Sequence, residues 1–455
     1  MFFLSGKRNA TTIHKVIKAN GSHQMRFLYT LALWLLLPYV FFRLVWRARR
    51  QPEYLRYIGE RFGFYAVLSD RPVIWLHAVS VGETRATQSL VTLLREAYPN
   101  HQILLTHTTP TGRSTSEQLY GDSVLRVYLP YDYPFAVNHF LRYFRPQLGI
   151  LMETEIWFNL IHACHTSGTP LLLLNARLSE KSAQGYAHFA QLTRLALREL
   201  AAIAAQTQDD AMRLTRLGAK DVTVMGNLKF DIEPPAAMLE LGRQLREQFG
   251  SARKIFLAAS TRDGEEALLL DALESIHIQD LLVVIVPRHP QRFQPVANLL
   301  KQRGITFLRK SDIVQTGQLR GEGLQDFVVP AKVRVVLGDS MGEMFAHYAA
   351  ADLAFIGGSL LPFGGQNLIE ACAVGTPVLV GPYTHNFDEA TRLAVNAGAA
   401  VQVLDTEELV KQLQQLLSDP DALTKMRQQC NEFVKFNRGA TDRSLKIITA
   451  VLNKR

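Results

Sequence analysis

The chain has 455 residues, enough for two or three domains that each bury a core of their own. Hydrophobic residues make up 47% and charged residues 20% of the sequence, which excludes a wholly disordered protein. The net charge of +9 suits nucleic acid, anionic lipid or phosphorylated small molecules, and does not choose among them. The three cysteines, Cys164, Cys372 and Cys430, have no paired spacing. The sequence therefore predicts no disulfide framework and no cysteine-based zinc site, and it favours reduced, cytosolic surroundings.

The N-terminus combines a polar start with an apolar run. Residues 1–24 are polar and patternless, which predicts a disordered extension and makes Met25 an alternative start. Residues 25–49 are predicted to form a membrane anchor helix, because their apolar run is closed by an arginine cluster. The run is near the lower length limit for a span and contains Pro38, so a tilted or interfacial helix remains open. A buried core helix fits less well, since the run is apolar on every face.

Residues 50–225 alternate short apolar strands with helical patterns, as is typical of a Rossmann-like domain with a parallel sheet. Glu83 follows the strand 73–76 and opens a helix, at the crevice where open α/β sheets bind ligands. As a general base, Glu83 would have to reach a substrate hydroxyl and be ionised, which a helix N-terminus assists. An acid that only complements the helix dipole is a slightly better explanation from residue type alone.

More polar residues follow later strands of the same series. Glu153 and Glu155 come directly after one strand, and Asn175 and Arg177 leave the next. Because the carboxyl ends of parallel strands meet at one sheet edge, we expect these side chains to form a site with Glu83. A salt bridge from Arg177 to one of the glutamates explains that pair equally well.

Residues 226–235 have the composition of a linker, and Lys229 within them is placed where it can face both neighbouring domains. Residues 236–455 repeat the αβ pattern and predict a second Rossmann-like domain. In that domain Arg288 and His289 follow an apolar strand, and they supply charge and hydrogen bonds suited to a phosphate or carboxylate.

The stretch 350–387 reads as strand, glycine loop, helix and strand. Glycine pairs at 357–358 and 364–365 precede a helix predicted to start at Gln366. Free N–H groups and the positive end of the helix dipole attract phosphate there, and Glu370 is suited to accept hydrogen bonds from ribose hydroxyls. Turn glycines and a solvated acid are the plain alternative, because a glycine loop before a helix is a weak signal alone.

Two Rossmann-like halves joined by a short linker predict a ligand cleft between domains. The P-loop pattern GxxxxGK[ST] is absent, and no GxGxxG turn follows the first strand, which disfavours nicotinamide or flavin chemistry. No element of the sequence points to a metal-bound nucleotide sugar, so a mechanism without metal or cofactor is predicted.

Several segments together, from about residue 27 to the last residues, closely resemble the bacterial Kdo transferases, the 3-deoxy-D-manno-octulosonic acid transferases of lipopolysaccharide assembly. After the anchor these segments are WLHAVSVGE (75–83), ETEIW (153–157), NARLSEKS (175–182), GNLKFD (226–231), VPRHPQRF (286–293), GDSMGEM (338–344) and GGSLLPFGGQNLIEACAVGTPVLVGP (357–382). Residues 1–24 have no counterpart in the family pattern.

This resemblance implies a GT-B glycosyltransferase, with two Rossmann-like domains facing a cleft and an N-terminal membrane-anchor helix. It implies transfer of Kdo from CMP-Kdo to the lipid A precursor, at inner-membrane lipids on the cytoplasmic side and without nucleic acid. Glu83 matches the family's catalytic base, and Glu153 and Lys229 match positions that support the transition state. The positions that match CMP contacts are Arg288, His289, Met341, Gly342, Glu343, Asn367, Leu368, Ile369 and Glu370.

Two functions of other classes stay open. A GT-B-shaped epimerase of a nucleotide sugar needs no lipid acceptor and no anchor, so the apolar run at 27–46 counts against it. A non-catalytic, membrane-tethered nucleotide-binding protein would leave Glu83 and Glu153 with no purpose beyond helix capping.

Overall fold

The computed structural model describes residues 6–454 except 275, 277 and 314–326, with side chains described from residue 24 onward. The chain divides into two compact units. The first unit contains the chain up to Asp231 together with Arg438–Arg455, and the second unit is Ile232–Asn437. Each unit is built on a parallel sheet of seven strands, which confirms the prediction of two Rossmann-like α/β domains.

The first element is a long helix, α1, over Gly6–Ala48. Its part Gln24–Ala48 is long and apolar enough to cross a membrane, with a mean hydropathy of 1.8. The structure thus contains the apolar helix predicted for 25–49. The described backbone of α1 begins at Gly6, within the segment 1–24 for which the sequence predicts a disordered extension. Residues 1–5 lie outside the described residues.

The strands of the first unit are β1 Val73–His77, β2 Gln102–His107, β3 Leu125–Tyr128, β4 Leu148–Met152, β5 Leu171–Ala176, β6 Ala202–Ala205 and β7 Val222–Val224. They are ordered β3-β2-β1-β4-β5-β6-β7 in the sheet, and every neighbouring pair is parallel. The direction of winding reverses between β1 and β4. The loops after these two strands therefore flank the crevice in which open α/β sheets bind ligands.

Helices cover both faces of this sheet. They are α2 Val81–Ala86, α3 Gln88–Ala97, α4 Pro110–Tyr120, α5 Pro134–Phe144, α6 Phe158–Ser167, α7 Glu180–Ala187, α8 Ala190–Glu199 and α9 Gln208–Arg216. Alternate side chains of β1 enter opposite cores, with Trp75 in one and Leu76 in the other, as burial of both faces of a parallel sheet requires. A Cβ at Gly149 would lie 2.6 Å from the Trp75 ring, so only glycine fits beside that indole.

The strands of the second unit are β8 Lys254–Thr261, β9 Leu281–Pro287, β10 Phe307–Arg309, β11 Val335–Leu337, β12 Leu353–Ile356, β13 Val378–Val380 and β14 Ala400–Gln402. They are ordered β10-β11-β9-β8-β12-β13-β14, again with parallel neighbours. Winding reverses between β8 and β12. The loop after β12 is the predicted glycine loop, so it lies at the switch point of the second sheet.

The helices of the second unit are α10 Ala236–Phe249, α11 Glu265–Glu274, α12 Phe293–Gln302, α13 Met344–Ala350, α14 Ile369–Ala373, α15 Asp388–Asn396, α16 Thr406–Ser418 and α17 Pro420–Asn437. Phe256 of β8 and Phe355 of β12 lie fully buried in its core. A last helix, α18 Ala440–Leu452, follows α17 but packs with the first unit. Five 3-10 helices complete the described elements: Pro52–Tyr54, Ile58–Phe62, Gly121–Ser123, Leu228–Phe230 and Pro290–Arg292.

The domain boundaries differ from those predicted in two places. The expected linker 226–235 is not a free connection, because Leu228 and Phe230 are only 2% exposed within the first unit. The expected second domain, 236–455, ends earlier, because Ile448 of α18 enters the core beside α3. The Asp231 carboxylate accepts hydrogen bonds from the backbone N–H groups of Gly439, at 2.6 Å, and Thr441 and so caps α18.

Candidate active site

Glu83 lies at the switch point of the first sheet, in the first turn of α2. Ser80 is the N-cap residue, and its Oγ accepts a hydrogen bond from the Glu83 N–H at 3.4 Å. The Glu83 carboxylate receives the Val79 N–H on Oε2 at 2.8 Å and the Ser80 hydroxyl on Oε1 at 3.0 Å. This is a capping arrangement, as the plain interpretation of Glu83 predicted. A carboxylate has about four acceptor positions, so these bonds leave lone pairs on both oxygens for a substrate hydroxyl.

Glu153 occupies the matching position after β4, the other strand of the switch point. Its φ is +57°, a left-handed conformation that is uncommon for a residue with a side chain. The strand ladder helps to hold this turn, since the Glu153 N–H donates to the Leu174 carbonyl at 3.1 Å. A strained non-glycine residue at a sheet edge is a feature that clusters at functional sites.

Lys229 joins this pair of acids from a distant part of the chain. Its Nζ lies 3.3 Å from Glu153 Oε1, and both side chains are about one-fifth exposed. Side chains at the ends of β5 and β6 hold the turn that carries Lys229. The Leu228 N–H donates to Asn175 Oδ1 at 3.1 Å, and Asn227 Nδ2 donates to Gln206 Oε1 at 2.9 Å. The structure therefore brings together the three predicted catalytic positions, Glu83, Glu153 and Lys229, within the first unit.

The proximity of the acids changes the protonation of Glu83. Burial, followed by repulsion from the Glu153 carboxylate, raises the pKa of Glu83 to about 7, against the opposing hydrogen bonds from Val79 and Ser80. Burial also raises the pKa of Glu155, whose carboxylate accepts the Trp157 indole N–H at 2.5 Å. A carboxyl group with a pKa near the working pH is suited to general-base catalysis.

The remaining polar residues of this edge have structural contacts. Asn175 has a φ of +54° and is 1% exposed, and its Oδ1 holds the turn that carries Lys229. Within the part of the chain that the structure describes, no ion pair involves Arg177, so the predicted salt bridge to a glutamate is not found. The Thr154 hydroxyl instead donates to the Arg177 carbonyl.

Two buried histidines lie behind these loops, and sequence reasoning did not identify them. His77 ends β1, and burial together with repulsion from His107 lowers its pKa to about 3. His107 ends β2, and burial lowers its pKa to about 4. His107 Nδ1 lies 2.8 Å from the Ala78 carbonyl, which anchors the loop that leads to Glu83. Their place at the ends of two apolar strands was the only signal in the sequence.

In the second unit, the glycine loop after β12 is held by a buried acid that sequence reasoning did not identify. Glu265 is 0% exposed. Its carboxylate accepts the backbone N–H groups of Arg262, Gly358 and Leu360 at 2.9, 2.6 and 3.0 Å. A Cβ at Gly364 would lie 2.4 Å from Asn386 Nδ2, so glycine allows the loop to pack closely against the Asn386 side chain. The loop is therefore fixed in shape before any ligand arrives.

Arg288 and His289 follow β9, next to the switch point, and both are exposed. His289 Nε2 lies 3.2 Å from Arg262 Nη1, and Arg262 also stacks over the Phe363 ring at 4.8 Å. Burial, then the positive charges of Arg262 and Arg288, lower the pKa of His289. The structure thus gathers two guanidinium groups and an imidazole beside the glycine loop, a combination that favours an anionic ligand.

The positions Met341, Gly342 and Glu343 precede α13. Met341 is 55% exposed, and Gly342 has a φ of +84°, which favours glycine. Glu343 accepts hydrogen bonds from Lys310 and Ser340. Burial alone would raise the pKa of Glu343, but the hydrogen bonds from Lys310 and Ser340 hold it below its usual range.

The positions Asn367 to Glu370 form a compact turn. The predicted helix start at Gln366 is wrong, because α14 begins at Ile369. The Ile369 N–H donates to Asn367 Oδ1 at 3.1 Å, which holds residues 367–369 in a turn before the helix. Leu368 and Ile369 are 0% exposed, so any ligand contact from them uses their backbone. Asn367 Nδ2 donates to Glu370 Oε1 at 3.1 Å and fixes that carboxylate.

One cavity of the first unit lies away from these residues. A concavity of about 720 Å³ in the first unit is lined by residues of α7, α9 and β7, among them Met212 and Arg213. This concavity contains none of the predicted site residues. The candidate site is therefore identified from the contacts of its residues and from their place at the switch points of the two sheets. Among the described residues, no group of three or more His, Cys, Asp or Glu side chains could hold a metal ion. A mechanism without metal or cofactor stays a prediction.

Comparison with known proteins gives consistent results. Residues 56–232 match the family model described as 3-deoxy-D-manno-octulosonic-acid transferase (kdotransferase), and residues 324–435 match glycosyl transferases group 1. The chain is 40% identical over 435 residues to a 3-deoxy-D-manno-octulosonic acid transferase of Bordetella pertussis, covering 92% of this chain and 98% of that protein. It is 35% identical over 436 residues to the enzyme of the same name from Haemophilus influenzae, covering 94% and 99%.

Solved structures with low sequence identity share the fold. A glycosyltransferase from Rickettsia africae matches with a TM-score of 0.54 at 15% identity, over 85% of this chain and all of that one. A UDP-GlcNAc 2-epimerase from Neisseria meningitidis bound to UDP-GlcNAc matches with a TM-score of 0.54 at 18% identity, over 84% and 100%. These likenesses show the two-domain GT-B fold, and the fold alone does not separate a transferase from an epimerase.

Proposed function

The chain belongs to the 3-deoxy-D-manno-octulosonic acid transferase family, and we propose that it moves Kdo from CMP-Kdo to the lipid A precursor lipid IVA, with inversion. The names of its relatives support Kdo transfer in lipopolysaccharide biosynthesis. The donor and the acceptor follow from the resemblance of the motif segments, and no metal takes part in the proposal.

The observation that carries the proposal is the state of Glu83. This acid lies at the switch point of its sheet and is partly buried, and its pKa is raised to about 7. An acid in this state is ionised in about half of the molecules at neutral pH, and it binds a proton more strongly than an ordinary carboxylate does. Glu83 would take the proton of the acceptor's primary hydroxyl as that oxygen attacks the anomeric carbon.

The Glu153–Lys229 pair has a separate role in this proposal. Glu153 Oε1 lies 3.3 Å from the Lys229 ammonium and thus fixes a positive charge at this edge of the sheet. Kdo carries a carboxylate, and a fixed ammonium stabilises that charge without reorganising during the reaction. The same ion pair keeps a negative charge near Glu83, which maintains the raised pKa.

The second unit would bind CMP. Negative charge grows on the phosphate as CMP leaves, and Arg288, Arg262 and the N–H groups of the glycine loop are the groups suited to stabilise it. Glu370, fixed by Asn367, would accept hydrogen bonds from the ribose hydroxyls. The other donor contacts would come from His289 and from the turn at 341–343.

We assign this reaction to the cytoplasmic face of the inner membrane. The lipid acceptor requires an enzyme at a bilayer, and the first unit begins with a helix long and apolar enough to cross a membrane. The N-terminal segment before Glu53 contains Lys and Arg but no Asp or Glu, which suits anionic headgroups.

The proposal is tested with the purified full chain, CMP-Kdo and a tetraacylated lipid A precursor, by measuring the mass of the product. We expect the acceptor to gain one or more Kdo residues and CMP to be released. A Glu83→Ala chain, compared at equal CMP binding, serves as the matched control and should form no product. An epimerase would convert a nucleotide sugar without any lipid, and a non-catalytic binding protein would leave both substrates unchanged.

A further inference from the structure

The apolar part of α1 has one side that is less exposed than the other along its whole length. Its less exposed positions recur at intervals of three and four residues, which is the spacing of a single helix face. These positions are Arg26, Thr30, Leu33, Leu37, Val40, Leu44 and Ala48. The stripe covers 22 helical steps, or about 33 Å at roughly 1.5 Å per residue. This distance is similar to the thickness of the hydrocarbon core of a bilayer.

Specific contacts fix the N-terminal half of this stripe to the first unit. The Tyr29 hydroxyl donates to Asp132 Oδ2 at 2.9 Å, and the Thr30 hydroxyl donates to Asn159 Oδ1 at 3.2 Å. The Tyr133 hydroxyl donates to the Leu33 carbonyl at 2.8 Å. The partners lie at the beginnings of α5 and α6, so α1 is attached to the body of the first unit at this level.

The C-terminal half is covered as well. Leu44 and Ala48 are only 6% and 8% exposed, and α1 contacts the 3-10 helix Pro52–Tyr54. Arg47 lies over the Tyr54 ring at 5.5 Å. The N-terminal half of α1 is bonded to the body of the first unit, and its C-terminal end leads directly into that unit. The helix therefore cannot cross a bilayer unless polar groups of the unit enter the hydrocarbon, where they lose their partners in water.

The opposite side of α1 is apolar and exposed. Its residues recur at the same intervals of three and four, and their exposure ranges from 45% for Leu31 to 75% for Leu35. We call this set the apolar face, and its members are Leu28, Leu31, Leu35, Tyr39, Phe42 and Trp46. Trp34 and Phe135, stacked at 5.8 Å and both partly exposed, extend the face onto α5.

The charge of the molecule is concentrated beside this face. No Asp or Glu occurs before Glu53, whereas nine of the 50 Lys and Arg residues do, which leaves 41 basic against 41 acidic residues in the rest. The net charge of +9 is therefore a property of the α1 region. Arg43, Arg47 and Arg50 follow one another along one edge of the apolar face. Basic residues precede the apolar run too, so a spanning helix would place cations on both sides of the membrane.

We propose that α1 lies in the plane of an anionic membrane surface, with its apolar face in the boundary between headgroups and acyl chains, and does not span the bilayer. The basic residues before the apolar run and the arginines after it then contact the headgroups of the same leaflet. The tryptophan and tyrosine rings on the apolar face suit that boundary, because each has an apolar body and a polar tip. This inference deepens the membrane association assigned above and does not depend on the chemistry of transfer.

The topology is tested with the full chain by placing a cysteine on either side of the apolar run, Gln24→Cys or Glu53→Cys. The native cysteines, Cys164, Cys372 and Cys430, are buried, so the wild-type chain is the blank. Inverted inner-membrane vesicles from the expression host are treated with a membrane-impermeant maleimide. We expect both variants to be labelled without detergent. Labelling of either one only after detergent, or recovery of the chain outside the membrane fraction, overturns the proposal.

The occupant of the face is tested by flotation of the purified full chain with phosphatidylcholine vesicles, with and without phosphatidylglycerol. The double variant Leu35→Glu, Phe42→Glu should lower the bound fraction roughly tenfold or more. Leu68→Glu changes an equally exposed residue outside α1 and should bind like the wild-type chain. Unchanged flotation of the double variant contradicts the proposal. The proposal is also contradicted if the wild-type chain is a dimer, the double variant is a monomer, and vesicle binding persists in both. In that case a second copy of the chain covers the apolar face.

Activity separates this inference from the proposed reaction. Transfer to a detergent-dispersed acceptor should be equal in the double variant and the Leu68→Glu chain, because the apolar face takes no part in the chemistry. Loss of vesicle binding with full transfer supports the in-plane helix. Full vesicle binding with no transfer by the wild-type chain would contradict the proposed function and leave the membrane face intact.

Discussion

The two units present different groups at the same position in their sheets. In the first unit, the loops after β1 and β4 carry ionisable side chains, Glu83 and Glu153, with Lys229 beside them. In the second unit, the loop after β12 presents backbone N–H groups, held in shape by the buried Glu265. Parallel-sheet topology thus places both sets of groups at the carboxyl edge of a sheet, and residue type determines whether that place is suited to proton transfer or to an anion.

The largest expected effect is on the chemical step. Glu83→Gln keeps the shape and most hydrogen bonds of the side chain but removes the base, so we expect kcat to fall by about 10²- to 10⁴-fold. Steady-state transfer at saturating CMP-Kdo measures this loss. Glu96→Gln on the neighbouring helix α3 is the control and should retain full activity. A Glu83→Gln chain with more than half of the wild-type kcat would remove Glu83 from the role of base.

The corresponding change in the second unit should act on binding. Glu370→Ala removes the carboxylate that Asn367 fixes, and a lost hydrogen bond to a charged group raises the KM for CMP-Kdo by about 10- to 100-fold. At saturating donor, kcat should change much less. Glu407→Ala alters an exposed acid of the same unit and should change neither constant. A fall in kcat with an unchanged KM would mean that the two units do not divide the work in this way.

Glu265 tests whether the glycine loop has to be pre-formed. Glu265→Gln leaves one carbonyl oxygen where two carboxylate oxygens accept three N–H groups, so at least one buried N–H loses its partner. We expect a loss of about 1–3 kcal/mol in unfolding free energy and weaker CMP binding. Thermal unfolding and CMP titration measure the two effects. Glu274→Gln, at the exposed end of the same helix, should leave both unchanged, and wild-type CMP affinity in Glu265→Gln would contradict the pre-formed loop.

The smallest expected effect is a shift of the pH profile. Glu83 must be ionised to accept a proton, and its pKa is raised to about 7, so kcat/KM should rise with pH and level off above about 7. Glu153→Gln removes the second largest cause of that shift, so the rise should move to lower pH. Glu155→Gln removes a weaker repulsion and should move it less. An equal shift in both variants, or a shift to higher pH, would contradict the electrostatic account.

Much of the framework could be predicted from the sequence. Strands such as 73–76 and 281–286 are continuous apolar runs, and polar residues directly after them lie at the carboxyl edge of the sheet whatever the details of packing. For this reason Glu83, Glu153 and the glycine loop lie at the two switch points. The resemblance to Kdo transferases supplied the roles, which residue types alone left open between catalysis and capping.

The misses share a physical cause, which is that they depend on contacts between distant parts of the chain. The Lys229–Glu153 ion pair joins residues 76 positions apart. The return of α18 to the first unit depends on Asp231 and on a core that local periodicity does not describe. Glu265 follows a loop with a normal capping pattern, and no local feature of the sequence reveals that it also binds a loop 93 residues away.

The central claim, that the first unit transfers the proton and the second unit holds the donor, is tested most directly by calorimetric titration of CMP. The titration uses full-length Glu83→Gln and Glu370→Ala chains beside the wild-type protein. We predict that Glu83→Gln binds CMP with the wild-type dissociation constant although it does not transfer Kdo. Glu370→Ala should bind CMP about tenfold or more weakly. Weakened CMP binding in Glu83→Gln with wild-type affinity in Glu370→Ala would contradict the account.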